Sequence, residues 1–336
     1  MMNRRTVILS SCASLAALHR AEAHTVNVSD DAIRDILRRR IDVEKRATGM
    51  AVGIVERGRR RVIVYGTQDS RDARSVAANT LFEIGSLTKV FTALLLADIL
   101  ATHTSALPLF PPLTGNPLEA LARYTASDLR SWLAGLTLSR DPGAQWEYSN
   151  VGYGLLGLAL ANKAGTTYDA LLSRRIIGPL RLEDTTLHPT GEAARRLAAG
   201  HDPTPVPIPP LDIGIFAPAG ALRSTVENLL SFLSAVLPGS PLEAAAQLLL
   251  SIRRPAPAIG GDQAFGWEVV TGTDPFVAKD GVTAGQAASI VLDPPKRTGV
   301  VVLSNALPVR MKAPPDGGVG AADLARHLIR PAFPLG

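Results

Sequence analysis

Phe82-Glu83-Ile84-Gly85-Ser86-Leu87-Thr88-Lys89 is the stretch on which the reading of this 336-residue chain turns. A short apolar run ends at Gly85, and an apolar-periodic helix is predicted from Ser86. Val90, Leu94, Leu95, Ala97 and Ile99 carry it, and no breaker interrupts it before the His103 region. Ser86 and Lys89 are three apart, so on a helix they share a face, about 5–6 Å apart at Cβ. A hydroxyl beside an ammonium at a helix start has the makings of an activated nucleophile, because the free N–H groups there favour negative charge. The same letters also describe an N-capping serine with a solvent-reaching lysine, so the decision rests on the rest of the chain.

The chain is 46% hydrophobic and 19% charged with a net charge of +5. That supports a large core and a length of roughly two lobes at ~150 residues each. The positive charge is scattered apart from Arg38-Arg39-Arg40 and the run Arg57 to Arg61. Aromatics are few and no nucleic-acid motif occurs, which argues against a nucleic-acid partner. Met1-Met2-Asn3-Arg4-Arg5, the mostly apolar or small Thr6 to Leu18, and Ala21-Glu22-Ala23 read as a leader over 1–23, with Arg4-Arg5 in a twin-arginine position. The single cysteine, Cys12, falls inside it, so the remaining chain has no thiol chemistry. No other stretch has the ~18–20 uninterrupted apolar residues of a membrane span.

Asp30 to Arg46 is predicted as an amphipathic helix, and Met50 to Val55 with Arg61 to Tyr65 as a hairpin. Helices follow at Asp128 to Leu136 (capped by Ser127), Val151 to Lys163, Tyr168 to Ile177, Thr225 to Val236 and Leu242 to Ile252. Prolines without periodicity mark 201–218 as a surface excursion or lid. Phe265 to Val270, Phe276 to Lys279, Ala287 to Leu292 and Gly299 to Leu303 are strands, and Ala321 to Ile329 a closing helix. Strands at both ends and helices between them predict an α+β fold. One antiparallel sheet is built from about 30–85 and 256–336, flanked by the terminal helices, with an all-helical lobe over about 86–255 inserted into a single domain spanning 24–336. A cleft between the two parts is the default binding site.

Two further elements carry candidate chemistry. In Tyr148-Ser149-Asn150, a phenol and a carboxamide two apart in an extended loop face one way and offer a proton shuttle and an amide hydrogen bond. A half-buried tyrosine and a capping asparagine fit equally well. In Lys279-Asp280-Gly281, a strand lysine would attract an anionic substrate and lower a nearby phenol's pKa, while the glycine admits a carbonyl to the backbone. A solvated edge lysine and a turn glycine is the plainer alternative.

Taken in order, S-x-x-K at a helix start, Y-x-N in a loop and K-x-G on a strand resemble the serine β-lactamases and penicillin-binding proteins, a family with S-x-x-K and K-T-G sets. The tyrosine resembles the class C type and its D-alanyl-D-alanine carboxypeptidase and esterase relatives. Ala101-Thr102-His103-Thr104-Ser105, Pro142-Gly143, Ala219-Gly220-Ala221-Leu222-Arg223-Ser224-Thr225 and Val300-Val301-Val302-Leu303-Ser304-Asn305 extend the resemblance over about 30–330. It implies a covalent acyl-transfer site. Ser86 would attack the carbonyl, Lys89 and Tyr148 would manage its proton, and Asn150 would bind the substrate amide and Lys89. Lys279 would stabilise the tyrosinate and a substrate carboxylate. The N–H groups of Ser86 and Val282 would form the oxyanion hole, beside Gly281. No cofactor and no metal is implied, and His103 is expected to pack or cap. The implied substrate is a small-molecule β-lactam or a peptidoglycan peptide. The expected protein is a periplasmic or secreted monomer without a membrane span.

The chain departs from that pattern in places. Relatives have a segment of some tens of residues between the S-x-x-K helix and the A-T-H-T-S phrase, whereas here Leu100 joins Ala101 directly. Its loss is expected to uncover apolar surface. Ala106 stands where glycine is usual, Gln286 where an aromatic is usual, and Asp280 for the commoner threonine. Two hypotheses follow: a serine hydrolase acting on β-lactams, D-Ala-D-Ala peptides or small esters, and a catalytically weak relative that binds such molecules without turnover.

Overall fold

The structure, a computed structural model, describes residues 26, 28–95, 98–202, 206–307 and 320–335. The leader expected over 1–23 lies outside them. Alternating and continuous apolar runs from the two chain ends build one eight-stranded antiparallel sheet. Its strands are β1 (Gly49–Glu56) and β2 (Arg59–Gly66) from the N-terminal part. From the C-terminal part come β7 (Arg254–Ala256), β8 (Gly261–Gln263), β9 (Glu268–Val270), β10 (Phe276–Val282), β11 (Ala287–Asp293) and β12 (Thr298–Ser304). The order β2-β1-β12-β11-β10-β9-β8-β7 joins the two parts where β1 pairs β12, with Val52 opposite Val302. Strands β7 and β8 extend the sheet beyond the four C-terminal strands expected from the sequence.

Both faces of this sheet are covered, which is why β11 and β12 are buried along their whole lengths. On one face, α1 (Asp30–Arg38) and α12 (Ala321–Ile329) pack Ile33, Leu37, Leu324 and Leu328 against Val52, Ile54, Val300 and Val302. On the other, Val301 and Leu303 meet Leu229, Leu230 and Leu233 of α10 (Val226–Val236). The period of two sends alternate β12 side chains to opposite cores.

Between β2 and β7 the chain gives the large sheet no strand among the described residues. It carries α2 (Thr88–Ala93), α3 (Asp98–Ala101), α4 (Pro117–Arg123), α5 (Ala126–Ala134), α6 (Asn150–Lys163), α7 (Tyr168–Leu172), α8 (Gly191–Arg195), α9 (Ala217–Gly220), α10 and α11 (Glu243–Ser251). Two small ribbons lie there, β3 (Phe82–Glu83) with β6 (Arg223–Ser224) and β4 (Gly200–His201) with β5 (Pro207–Ile208).

Several local expectations need correction. The helix predicted to run unbroken from Ser86 begins as a 3-10 turn, Gly85–Leu87, and α2 ends at Ala93. The N–H of Leu95 then bonds the Thr92 carbonyl, a tightened last turn that no glycine or proline announces. The first helix likewise passes into a π-helical turn at Arg39–Val43. The cap of α5 is Thr125, not Ser127: Thr125 and Asp128 form a reciprocal capping box. The 201–218 stretch is less of a surface excursion than its prolines suggest, since His201 and Phe216 are buried. Leu94 and Leu95, at the end of α2, line a groove with Leu160, Leu171, Ile176, Lys163 and Arg175.

Candidate active site

The turn Gly85–Leu87 hangs between β3 and α2, so Ser86 sits where the backbone changes direction. Gly85 has φ +50°, and a Cβ there would lie 2.7 Å from the Val282 nitrogen. A Cβ on Gly281 would lie 2.0 Å from the Ile84 carbonyl oxygen and 2.9 Å from the Ser86 nitrogen. Only glycine at both positions lets β10 press its backbone onto the Ser86 turn. The same approach sets the Ser86 nitrogen against Gly281 and the Val282 nitrogen against Gly85.

Ser86 is half-buried, and its immediate partners are not equally open. Tyr148 Oη is 2.6 Å from Ser86 Oγ. Lys89 is fully buried one helical turn on; its ammonium donates to Asn150 Oδ1 at 2.7 Å, to the Ala219 carbonyl at 2.6 Å and to Ser86 Oγ at 3.3 Å. Asn150 opens α6 and Ser149 is its N-cap, accepting from the Gly152 N–H at 2.9 Å. The tyrosine and the carboxamide thus reach the same place from a loop and a helix start.

Lys279 arrives from β10, inside the sheet and 2% exposed, which corrects the alternative of a solvated edge lysine. Its ammonium is 5.5 Å from the Tyr148 ring centre, and that of Lys89 is 4.8 Å from it. The sequence-predicted residues Ser86, Lys89, Tyr148, Asn150, Lys279, Gly281 and Val282 are therefore gathered at one site.

The charges around Tyr148 set its acidity. Burial pushes the phenol up, but the ammoniums of Lys89 and Lys279 and hydrogen bonds with Lys89 and Ser86 outweigh it, leaving the pKa below its ordinary 10.0. Burial pulls Lys89 down from 10.5 to about 8, against the pull of Tyr148, and the charge of Lys279 adds to the fall. Burial acts on Lys279 in the same sense. There the Glu268 carboxylate, 2.6 Å away, outweighs it and holds the ammonium above its ordinary range.

Sequence reasoning missed Glu268, although an acid inside the apolar run Phe265 to Val270 was a signal. It also missed what Asp280 does. The Asp280 carboxylate accepts from Arg326 on α12 at 2.7 Å and from Ser289 Oγ at 2.6 Å, and these partners overcome burial to keep its pKa low. The Ala219 to Thr225 phrase also gains physical content. Leu222 N–H donates to Thr88 Oγ1 at 3.1 Å, and Arg223 pairs with Glu83 at 3.0 Å in a buried ion pair. Together with the Ala219 carbonyl on Lys89, these contacts hold the phrase against the Ser86 turn.

Comparison with known proteins bears on this geometry. The beta-lactamase family model matches residues 30–100 and 98–322, two stretches that overlap at 98–100, the place where the sequence leads one to expect a further segment. A beta-lactamase of Providencia stuartii is 27% identical over 245 residues, covering 63% of this chain and 60% of that protein's length. The chain therefore spans less than two thirds of that relative's length. A beta-lactamase of Escherichia coli K12 is 25% identical, with 89% of this chain and 92% of the relative covered. Among solved structures, a beta-lactamase/D-alanine carboxypeptidase from Pseudomonas syringae superposes with a TM-score of 0.70 at 21% identity, covering 82% of this chain and 94% of that one. At that identity the likeness speaks for the fold.

Proposed function

The chain belongs to the beta-lactamase family, and from that premise we propose that it is a serine hydrolase working through an acyl-enzyme on β-lactams or D-Ala-D-Ala-type peptides. The observation that carries this reading is the 2.6 Å contact between Ser86 Oγ and Tyr148 Oη, with two buried ammoniums beside the phenol ring.

In the proposed mechanism, Ser86 Oγ attacks the carbonyl carbon while its proton passes to Tyr148 as the phenolate or, through it, to Lys89. A phenol acidified by neighbouring ammoniums is a base whose proton affinity approaches the working pH. The negative oxygen of the tetrahedral intermediate lies against the N–H groups of Ser86 and Val282; losing such a donor costs ~10²–10³ in rate. The C–N bond breaks, and the proton returns from Tyr148 to the leaving nitrogen. Water then attacks the ester, giving its proton to the same base, and Ser86 is released with its hydrogen restored. Asn150 orients Lys89 and binds the substrate amide. Lys279 keeps the phenolate accessible and attracts the substrate carboxylate.

A second reading, a relative that acylates slowly or only binds, is favoured by the absent segment and the groove at Leu94 and Leu95. Small esters are the alternative substrates. Action outside the cytoplasm, in the periplasm or secreted, belongs to the proposal and rests on the basic–apolar start with its Ala-x-Ala site. Among the described residues no helix is long and apolar enough to cross a membrane.

The deciding experiment is intact-mass spectrometry after exposure to a penicillin, with hydrolysis of a chromogenic cephalosporin and a p-nitrophenyl ester alongside. A transient adduct with turnover supports the hydrolase. A persistent adduct without hydrolysis supports a penicillin-binding peptidase. No adduct and no hydrolysis of any of the three overturns the proposal.

A further inference from the structure

His103 is 1% exposed and packs beside Tyr148, in keeping with the packing or capping role expected of it. Its Nδ1 accepts the N–H of Ser149 at 3.1 Å, and its own carbonyl accepts the N–H of Glu147 at 2.8 Å. The residues on either side of Tyr148 are thus both bonded to one residue. The imidazole also lies 4.4 Å from the Tyr148 ring, centre to centre, tilted by 32°, and 5.1 Å from the ring of Tyr153 on α6. The tyrosine loop has few anchors of its own regular structure, so these contacts fix where the phenol oxygen can stand.

Two features set this apart from ordinary packing. His103 adopts φ +58°, a left-handed conformation that costs a non-glycine residue and persists where the surroundings hold it. Because Nδ1 accepts, the neutral ring carries its proton on Nε2, and that nitrogen is buried without a hydrogen-bond partner among the described residues. An apolar ring would fill this space without stranding a donor. Only the acceptor at Nδ1 repays the histidine.

We propose that His103 is the positioning residue for Tyr148, holding the phenol oxygen against Ser86 through the Nδ1 bond to Ser149 and the ring contact. The inference rests on the reading of Tyr148 as the base for Ser86. The groups facing His103 agree with a permanently neutral imidazole. Burial, then the charges of Lys89 from α2 and Lys279 from β10, hold its pKa well below 6.5, while Tyr148 and Tyr153 present aromatic faces. The Nδ1 acceptor therefore survives through neutral and mildly acidic pH.

The test compares His103→Asn, His103→Gln and His103→Leu in the full chain. Asparagine tolerates a positive φ and can bring its carboxamide oxygen to the place of Nδ1; glutamine reaches toward Nε2 instead. Acylation by a fluorescent penicillin should fall on the order of 10²-fold in His103→Leu and His103→Gln, and return to within a fewfold of wild type in His103→Asn. The acylation pH profile should move to higher pH in His103→Leu and His103→Gln and stay near wild type in His103→Asn. An unchanged rate and profile in His103→Leu overturns the proposal, as does an equal loss in the Asn and Gln variants. If His103→Leu does not fold, the Asn–Gln pair decides. If the wild type takes no label and hydrolyses neither cephalosporin nor ester, the hydrolase reading fails on its own, and a second readout still judges His103. Ultraviolet difference titration against Tyr148→Phe should show the Tyr148 midpoint raised in His103→Gln and near wild type in His103→Asn; equal midpoints in all three overturn it.

Discussion

The Lys279 ammonium and the Glu268 carboxylate lie 2.6 Å apart, both nearly closed off from water, and the pair holds the charge that acidifies Tyr148. A group whose folded pKa is raised gives stability that is fully present below the unfolded value, near 10.4, and is lost as pH rises through the folded one. At neutral pH the pair is therefore intact. Glu268→Gln should cost about 3–5 kcal/mol, because it leaves a buried cation unpaired. Urea unfolding at pH 7 measures this, and a loss below about 1 kcal/mol would mean that water already serves Lys279.

Two groups near Ser86 have pKa values shifted toward neutrality, and they interact. Lys89 is brought down to about 8 by burial, and Tyr148 lies below its ordinary range. Acylation should rise with pH from about 7 to 9, with apparent midpoints that belong to the pair rather than to either residue. Tyr148→Phe should remove most of the rise. Stability should change in the same direction. Between about 8 and the ordinary 10.5 of lysine, the unfolded chain holds a proton that the folded one has shed, so this group's contribution improves as pH climbs through that window. Rates of penicillin labelling and melting curves over that window check the two halves separately.

Ala106 stands at φ +60° in a buried loop, a conformation that suits glycine and strains alanine. Ala106→Gly should stabilise the chain by about 0.5–1 kcal/mol, the relieved strain exceeding the lost methyl contact and the added freedom of the unfolded chain. Ala→Gly usually destabilises, so a rise in the urea midpoint is a sharp outcome and a fall would refute the argument.

The sequence made the motifs legible because each sits on a locally marked element. Gly85 punctuates the start of the Ser86 turn, Ser149 caps α6, and Lys279 continues an apolar strand. The N- and C-terminal strands were legible by the same means, and the closing helix Ala321–Ile329 was read to its ends. What escaped was set by contacts between distant residues. Nothing local says that Glu268 and Lys279, eleven positions apart on neighbouring strands, face each other, or that His103 brackets Tyr148. The stop of α2 at Ala93 was invisible because apolar residues continue past it. Phe216 and His201 were hidden by prolines that suggested exposure, whereas packing against the rest of the fold buries both.

Ser86→Ala should abolish penicillin labelling and leave the fold intact. The hydroxyl contacts one phenol at 2.6 Å and one ammonium at 3.3 Å, and the lysine keeps Asn150 and the Ala219 carbonyl as acceptors. Stability should change by no more than about 1 kcal/mol. Intact mass after penicillin treatment gives the first answer; labelling at the wild-type level would take Ser86 out of the mechanism.

Asp280 stands where the K-T-G resemblance leads one to expect threonine, and Arg326 explains how the fold tolerates it. The guanidinium is 3% exposed and reaches Asp280 from α12 at 2.7 Å, while Ser289 donates to the same carboxylate. Restoring the commoner residue should therefore harm this protein. Asp280→Thr leaves the Arg326 charge buried beside β10, and the cost should be about 3 kcal/mol, at the low end for a broken buried pair because Asp280 retains some exposure. Arg326→Leu alone should also destabilise, removing the guanidinium that pairs with the Asp280 carboxylate. The double variant removes both charges and should recover most of the loss, giving a coupling energy well above the ~0.5 kcal/mol scatter expected of independent sites. Four urea titrations close the cycle. Additive losses would show that Asp280 and Arg326 do not act as a unit, and the tolerance of aspartate beside Lys279 would then need another cause.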